Sequence, residues 1–161
     1  MQNVFEELRN ALAGFSKLSI IGVGSEIRGD DRIGLYIAGK LKEKINNKNI
    51  EILIGGTTPE NLSGLLRKSK PTHVVLIDAA SCGKSAGAVS IIDPSRISGV
   101  SFSTHSFSLE TLADYLKHEI GAKTIIIGIE PKSLDLSEEI SEEVLKAGDE
   151  AVKLLLDFVR A

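Results

Sequence analysis

Two acidic positions and one imidazole stand in this chain where such side chains can do chemistry. Residues 24–34 read Gly-Ser-Glu-Ile-Arg-Gly-Asp-Asp-Arg-Ile-Gly, a glycine-punctuated loop carrying the adjacent acids Asp30 and Asp31. Asp78 follows the apolar run Val74-Val75-Leu76-Ile77, and a carboxylate fixed to a buried strand needs N–H donors, a cation or a metal. His105 lies between Thr104 and Ser106, just ahead of an amphipathic stretch that starts near Ser108. Two carboxylates and one imidazole form an O/O/N donor set with open positions, suited to a borderline divalent ion such as nickel or zinc. Each residue taken alone has an ordinary role as well. A strand-end aspartate caps the following loop, either Asp30 or Asp31 suits a helix N-cap, and a loop histidine serves as a hydrogen-bonding group. Their combination favours the metal reading, with the choice between Asp30 and Asp31 left open.

Other reactive groups fit less well. His73 stands at the amino end of its strand, and His118 lies near a helix C-terminus, where positive charge is favourable without any function. Cys82 could be grouped with His105 and Asp78 as a thiol nucleophile, but its Gly/Ser-rich loop offers no helix-terminal activation. Gly22-Val23-Gly24 resembles the start of a dinucleotide fingerprint, yet Ile27 occupies the third glycine position and Ile54-Gly55 ends the next strand without a ribose-binding acid. Glu130, beside Pro131 at the end of the last strand, is either a cleft residue that orients water or a substrate amide, or an acid that meets only solvent or a helix N-terminus.

The elements that must position these residues are legible as short apolar runs at 18–23, 50–54, 73–77, 89–92 and 124–129. β-Branched runs without alternation indicate strands covered on both faces. Helical patterns lie between most of them: Leu35, Ala38, Leu41 and Ile45; then Leu62, Leu65 and Leu66; then Leu109, Leu112, Leu116 and Ile120. The second of these is predicted to start with Thr58 as cap and Pro59 in the first turn. A last helix after Ser137 carries Ile140, Val144, Ala147, Ala151, Leu154, Leu155 and Phe158 on one stripe, with Glu138 and Glu139 at the positive end of its dipole. Residues 1–14 form a short lead-in helix. The connection from Ile77 to Val89 is too short for a helical crossover and predicts one antiparallel return. The expected fold is a three-layer α/β/α sandwich around a five-stranded, mostly parallel twisted sheet with one antiparallel strand. In open sheets of this kind ligands bind at the carboxyl ends of the strands, where the loops bearing Asp30, Asp31 and Asp78 emerge.

The chain has 161 residues, which suits one domain spanning 1–161. Apolar residues make up 42% and charged residues 25%, as in ordinary folded domains. A net charge of -3 without a dense Lys/Arg block argues against a nucleic-acid partner. No run approaches the length needed to span a bilayer. The single cysteine and the absence of a basic stretch followed by an apolar segment near Glu6 and Glu7 point to a cytoplasmic protein. One Gln and one Met beside many Glu, Lys and Ile is a bias that hyperthermophilic proteins share.

Nearly end to end, the chain resembles the [NiFe]-hydrogenase maturation endopeptidases, most closely the subgroup that processes the large subunit of formate-hydrogenlyase-type hydrogenases. The resemblance runs through GVGSEIRGDDRIG, GGTTPEN, VVLIDA, GAVSIIDP, STHSFSLETL and IIIGIEP, in that order and spacing. It implies an endopeptidase that removes the C-terminal extension of the hydrogenase large-subunit precursor after nickel insertion. It further implies that Asp31, Asp78 and His105 form the metal-contacting and catalytic trio, with nickel supplied by the precursor and another divalent metal such as zinc able to occupy the site. Ser25 replaces the usual Asn, Arg32 stands where Gly is usual, and Ile54 replaces an acid to which a catalytic part is sometimes assigned. The last departure weighs against a two-aspartate peptidase mechanism. The alternative is a receiver-like phosphorylatable signalling module, with Asp78 as acceptor and Lys132 near the last strand. The oligomeric state is not legible.

Overall fold

The computed structural model describes residues 1–97, 99–102 and 109–160, and its elements follow the apolar runs closely. The order is α1 (Gln2–Ala11), β1 (Leu18–Val23), α2 (Ile33–Lys44), β2 (Ile50–Gly56), α3 (Ser63–Ser69), β3 (His73–Ser81), β4 (Val89–Ile92), β5 (Ser101–Phe102), α4 (Leu109–Ile120), β6 (Lys123–Ile129) and α5 (Glu142–Arg160). The sheet runs β2-β1-β3-β6-β4. β1, β2, β3 and β6 are parallel, and β4 returns antiparallel to β6 with Ser90 opposite Gly128. A sixth strand, β5, pairs antiparallel with the end of β3, Ala80 opposite Phe102. Two residues carry no periodicity, so this strand has no signature in the sequence.

Alternation along the strands sorts the core into two layers. On one face Ile20, Val75, Ile77, Ile125 and Ile127 pack with Leu8, Ile33, Ile37, Leu41, Val144 and Leu155 from α1, α2 and α5. On the other, Ile21, Val23, Val74, Leu76 and Ile126 pack with Leu66 of α3 and Leu109, Leu112 and Leu116 of α4. The result is the expected three-layer sandwich. Glycine lets α2 approach the sheet closely: a Cβ on Gly34 would lie 2.3 Å from the carbonyl oxygen of Val23 and 2.2 Å from that of Ile77.

Several boundaries move. β3 continues through Asp78 to Ser81 because its ladder with β6 persists to Ala79 opposite Ile129, so the aspartate sits inside the strand. Pro59 opens a 3₁₀ turn, Pro59–Leu62, that precedes α3, and the Thr58 hydroxyl accepts from Asn61 Nδ2 at 3.2 Å instead of capping the backbone. α5 starts at Glu142, so Glu142 and Glu143, not Glu138 and Glu139, occupy its first turn.

The strand order contains a reversal. β1 leads through α2 to β2 on one side, and β2 leads back through α3 to β3 on the other side of β1. The carboxyl ends of β1 and β3 therefore flank the topological switch point, where α2 and α3 diverge to opposite faces and leave a crevice.

Candidate functional site

The loop after β1 is held by its glycines. Gly24 has φ +140°, and a Cβ there would sit 1.8 Å from the Asp31 carbonyl oxygen, so only glycine lets the backbone fold back on the acid. Its N–H donates to the Gly56 carbonyl at the end of β2, 2.9 Å. The next N–H, of Ser25, donates to Asp31 Oδ2 at 3.1 Å. The acids lie in a 3₁₀ turn, Gly29–Arg32, that runs directly into α2, and neither caps that helix, whose N-cap position is Arg32.

Asp30 and Asp31 are both fully buried, but their surroundings differ. Asp30 Oδ2 accepts from the N–H groups of Lys132 (2.8 Å) and Ser133 (2.9 Å) and from the Ser141 hydroxyl (2.9 Å). Its Oδ1 accepts from the Ser141 N–H at 2.6 Å. The Asp30 N–H also donates to the Ser133 carbonyl, 3.0 Å. Four donors satisfy this carboxylate, which therefore works as a latch between the first loop and the segment ahead of α5. The adjacent acid points the other way around the turn, toward Ser25 at the end of β1.

Asp78 is also fully buried. It pairs across the sheet with Gly128, shares the α3/α4 face with Leu76 and Ala80, and its Oδ1 accepts from the Ala79 N–H at 2.9 Å. The 3₁₀ turn that carries Asp31 packs against β3. Asp31 and Asp78 thus both occupy the switch-point end of the sheet, attached to neighbouring parallel strands. His105 lies outside the described residues. Among the described residues no group of three His, Cys, Asp or Glu side chains is placed to hold a metal.

Glu130 is turned to the loop between β3 and β4. Its carboxylate accepts from the backbone N–H of Cys82 (Oε2, 2.7 Å) and of Lys84 (Oε1, 2.9 Å), while its own N–H donates to Ala88 and its carbonyl accepts from Gly87. It clamps the loop between β3 and β4, a role distinct from both alternatives read in the sequence. Burial and the negative charge of Glu130 push the Cys82 thiol above its ordinary value, which makes a thiolate nucleophile there unfavourable. His73 begins β3, at the opposite end from the crevice, and burial together with Lys123 pushes its imidazole below its ordinary value. Lys132 Nζ lies 3.1 Å from Glu143, so the lysine of the signalling alternative is committed to α5. Ile54, where an acid is usual, is a half-exposed side chain near the end of β2. The Asp30 latch and the Glu130 clamp were missed because their partners lie far away in sequence; the only local cue was two adjacent acids competing for one role.

The donor set at the crevice is chemically fit for a hard or borderline divalent ion: two carboxylates held in low-dielectric surroundings, where a cation offsets the cost of burying charge. No helix among the described residues is long and apolar enough to cross a membrane.

A family model described as hydrogenase maturation protease matches residues 35–158. The chain is 41% identical to a putative hydrogenase maturation protease of Methanocaldococcus jannaschii, across 96% of this chain and 95% of that protein. It is 34% identical to the hydrogenase 3 maturation protease of Escherichia coli, across 70% of this chain and 71% of that protein. Among solved structures, a [NiFe] hydrogenase maturation protease from Thermococcus kodakarensis superposes with a TM-score of 0.89 at 32% identity, covering 96% of this chain and 99% of that one.

Proposed function

Because this chain belongs to the hydrogenase maturation protease family, we propose that it is the endopeptidase that cuts the C-terminal extension from a [NiFe]-hydrogenase large-subunit precursor once nickel is in place. In this reading Asp31, Asp78 and His105 contact nickel that arrives with the precursor. The observation that carries it is the pair of fully buried carboxylates at the switch-point end of the sheet, Asp78 within β3 and Asp31 on the 3₁₀ turn that packs against β3. Two carboxylates alone are a poor resident site, but they complete the sphere of an ion that brings its other ligands. Zinc would be accepted by the same donors. The isolated protein therefore need not hold metal tightly.

A divalent ion at this position supplies a Lewis acid for the scissile carbonyl. The chain's own contribution is positional. Gly24 and the Ser25 N–H fix the Asp31 carboxylate, the Asp30 latch fixes the loop that bears it, and β3 fixes Asp78 between two strands. No acid at position 54 and no activated Cys82 supply a second nucleophilic device, so recognition of the loaded precursor and its cleavage are coupled. Coupling of that kind prevents trimming before the metal is installed. Mixing the purified protein with nickel-loaded and nickel-free precursor tests this: a shortened large subunit is expected only with the loaded form, and equal cleavage of the nickel-free form in chelator would rule the coupling out.

A further inference from the structure

The segment latched by Asp30 does more than close the fold. Arg28 and Ser137 form a parallel β-bridge, with the Ser137 N–H donating to the Ile27 carbonyl (3.0 Å) and the Gly29 N–H to the Ser137 carbonyl (2.8 Å). In parallel register the preceding residues lie abreast on one face, so Ile27 stands beside Leu136. Both are turned to solvent: Ile27 is 57% exposed and Leu136 81%, two of the few large apolar side chains that the fold leaves uncovered. Ile27 sits on the same loop as Asp31, four residues before it, and Leu136 on the segment ahead of α5 that bridges to that loop.

The surroundings are asymmetric in charge. Glu26, Asp135, Glu138 and Glu139 are exposed around the pair and make no ion pair among the described residues. Two guanidinium groups stand near them, Arg28, half-buried and partnered, and exposed Arg32, whose Nη1 donates to the Glu138 carbonyl at 2.9 Å, while Lys132 pairs with Glu143; the four acids outnumber these cations. The rim therefore offers apolar contact bordered by a net negative charge, and the Asp30 latch ties it to the loop that carries Asp31.

We propose that Ile27 and Leu136 form a docking platform for the hydrogenase large-subunit precursor, receiving a segment in which an apolar side chain is flanked by Lys or Arg. The inference rests on the maturation reading given above and names the part of the enzyme that seats the substrate away from the cleaved bond. A small apolar contact in an acidic frame selects such a segment, because apolar burial supplies affinity while opposite charge speeds encounter and rejects acidic sequences. The bridge and the latch fix the platform relative to Asp31, so seating the segment sets the distance from the platform to the crevice.

Steady-state processing of nickel-loaded precursor is the test, comparing the wild type with Leu136→Ser, Ile27→Ser, a Glu138→Lys/Glu139→Lys double variant and, as control, Leu65→Ser on the α3 surface. Leu136→Ser and Ile27→Ser are expected to raise KM roughly tenfold or more while kcat stays within about twofold, the pattern of lost uniform binding. Raising the salt should raise the wild-type KM, and the charge-reversed variant should lose that dependence. Leu65→Ser should match the wild type. An unmoved KM for Leu136→Ser beside normal wild-type processing removes the platform and leaves the maturation reading standing. A wild type that does not shorten the loaded precursor removes the maturation reading and the platform with it. A wild type that sediments as a dimer at assay concentration, with Leu136→Ser monomeric at unchanged KM, assigns the patch to a second copy of the chain and overturns the proposal.

Discussion

Replacing Asp30 by asparagine changes one oxygen to an amino group and little else in shape. The four donors that meet this carboxylate leave no place for that group. If the remaining amide oxygen takes the Oδ2 position, it can still accept from Lys132 N–H, Ser133 N–H and Ser141 Oγ–H, at 2.8 to 2.9 Å. The amino group then faces the Ser141 N–H across the 2.6 Å that Oδ1 spans now, donor against donor. The opposite flip is worse, since three donors would meet the amino group. One unpaired buried donor costs about 1–3 kcal/mol. At roughly 2–4 °C per kcal/mol for a chain of this size, Tm should fall by about 2–12 °C. Processing measured well below Tm should be reduced and not abolished, because Asp31 keeps its own contact with Ser25. Asp31→Asn is expected to do the reverse, with Tm close to wild type and processing lost. Thermal unfolding followed by circular dichroism, paired with the precursor assay, separates the two. If Asp30→Asn kept the wild-type Tm and lost all processing, Asp30 would be a ligand and the latch assignment would be wrong.

Other expectations follow from the same geometry. Asp78→Asn, which keeps the shape of the buried side chain, and His105→Ala should each abolish processing of loaded precursor with an unchanged circular dichroism spectrum; retained turnover in either variant would take that residue out of the trio. Glu130→Ala should cost about 1–3 kcal/mol by freeing the Cys82 and Lys84 amides, and should lower the Cys82 pKa by removing a negative neighbour. Iodoacetamide should then label Cys82 faster at a fixed mildly alkaline pH, and an unchanged rate–pH profile would contradict this. His73 has a folded-state pKa below its unfolded value, so the unfolded chain takes up its proton first as pH falls. Its contribution is intact above the unfolded value near 6.5 and is lost as pH drops through the lower folded value; His73→Gln should flatten that part of the stability–pH curve.

The strands at 18–23 and 89–92 were legible to the residue, and the layers around them followed, because buried parallel strands write themselves as unbroken β-branched runs. β3 was read four residues short, since a charged residue after an apolar run imitates a strand end when the pairing that carries the backbone onward lies on β6 and β5. The acids of the first loop show the same limit at the level of the site. Asp30 and Asp31 are neighbours of one residue type, and what separates their roles is the position of Lys132, Ser133 and Ser141, a hundred residues later. Sequence spacing could locate the crevice, while the division of labour inside it was a property of contacts between distant segments.

That long-range latch has a consequence for when the enzyme comes into being. The Asp31 loop is pinned through Asp30 to residues just ahead of α5, and α5 is itself pressed onto α2, where a Cβ on Gly148 would lie 2.6 Å from Ile33 Cδ1. The start of the chain and its last helix therefore belong to one cooperative opening unit, and amide protons in the first loop should exchange on the same timescale as those of α5. During synthesis the first loop cannot be latched before Lys132, Ser133 and Ser141 have been made, more than a hundred residues after it. The Asp31 loop therefore takes its final geometry as a long-range contact, late in folding, and not as a local turn.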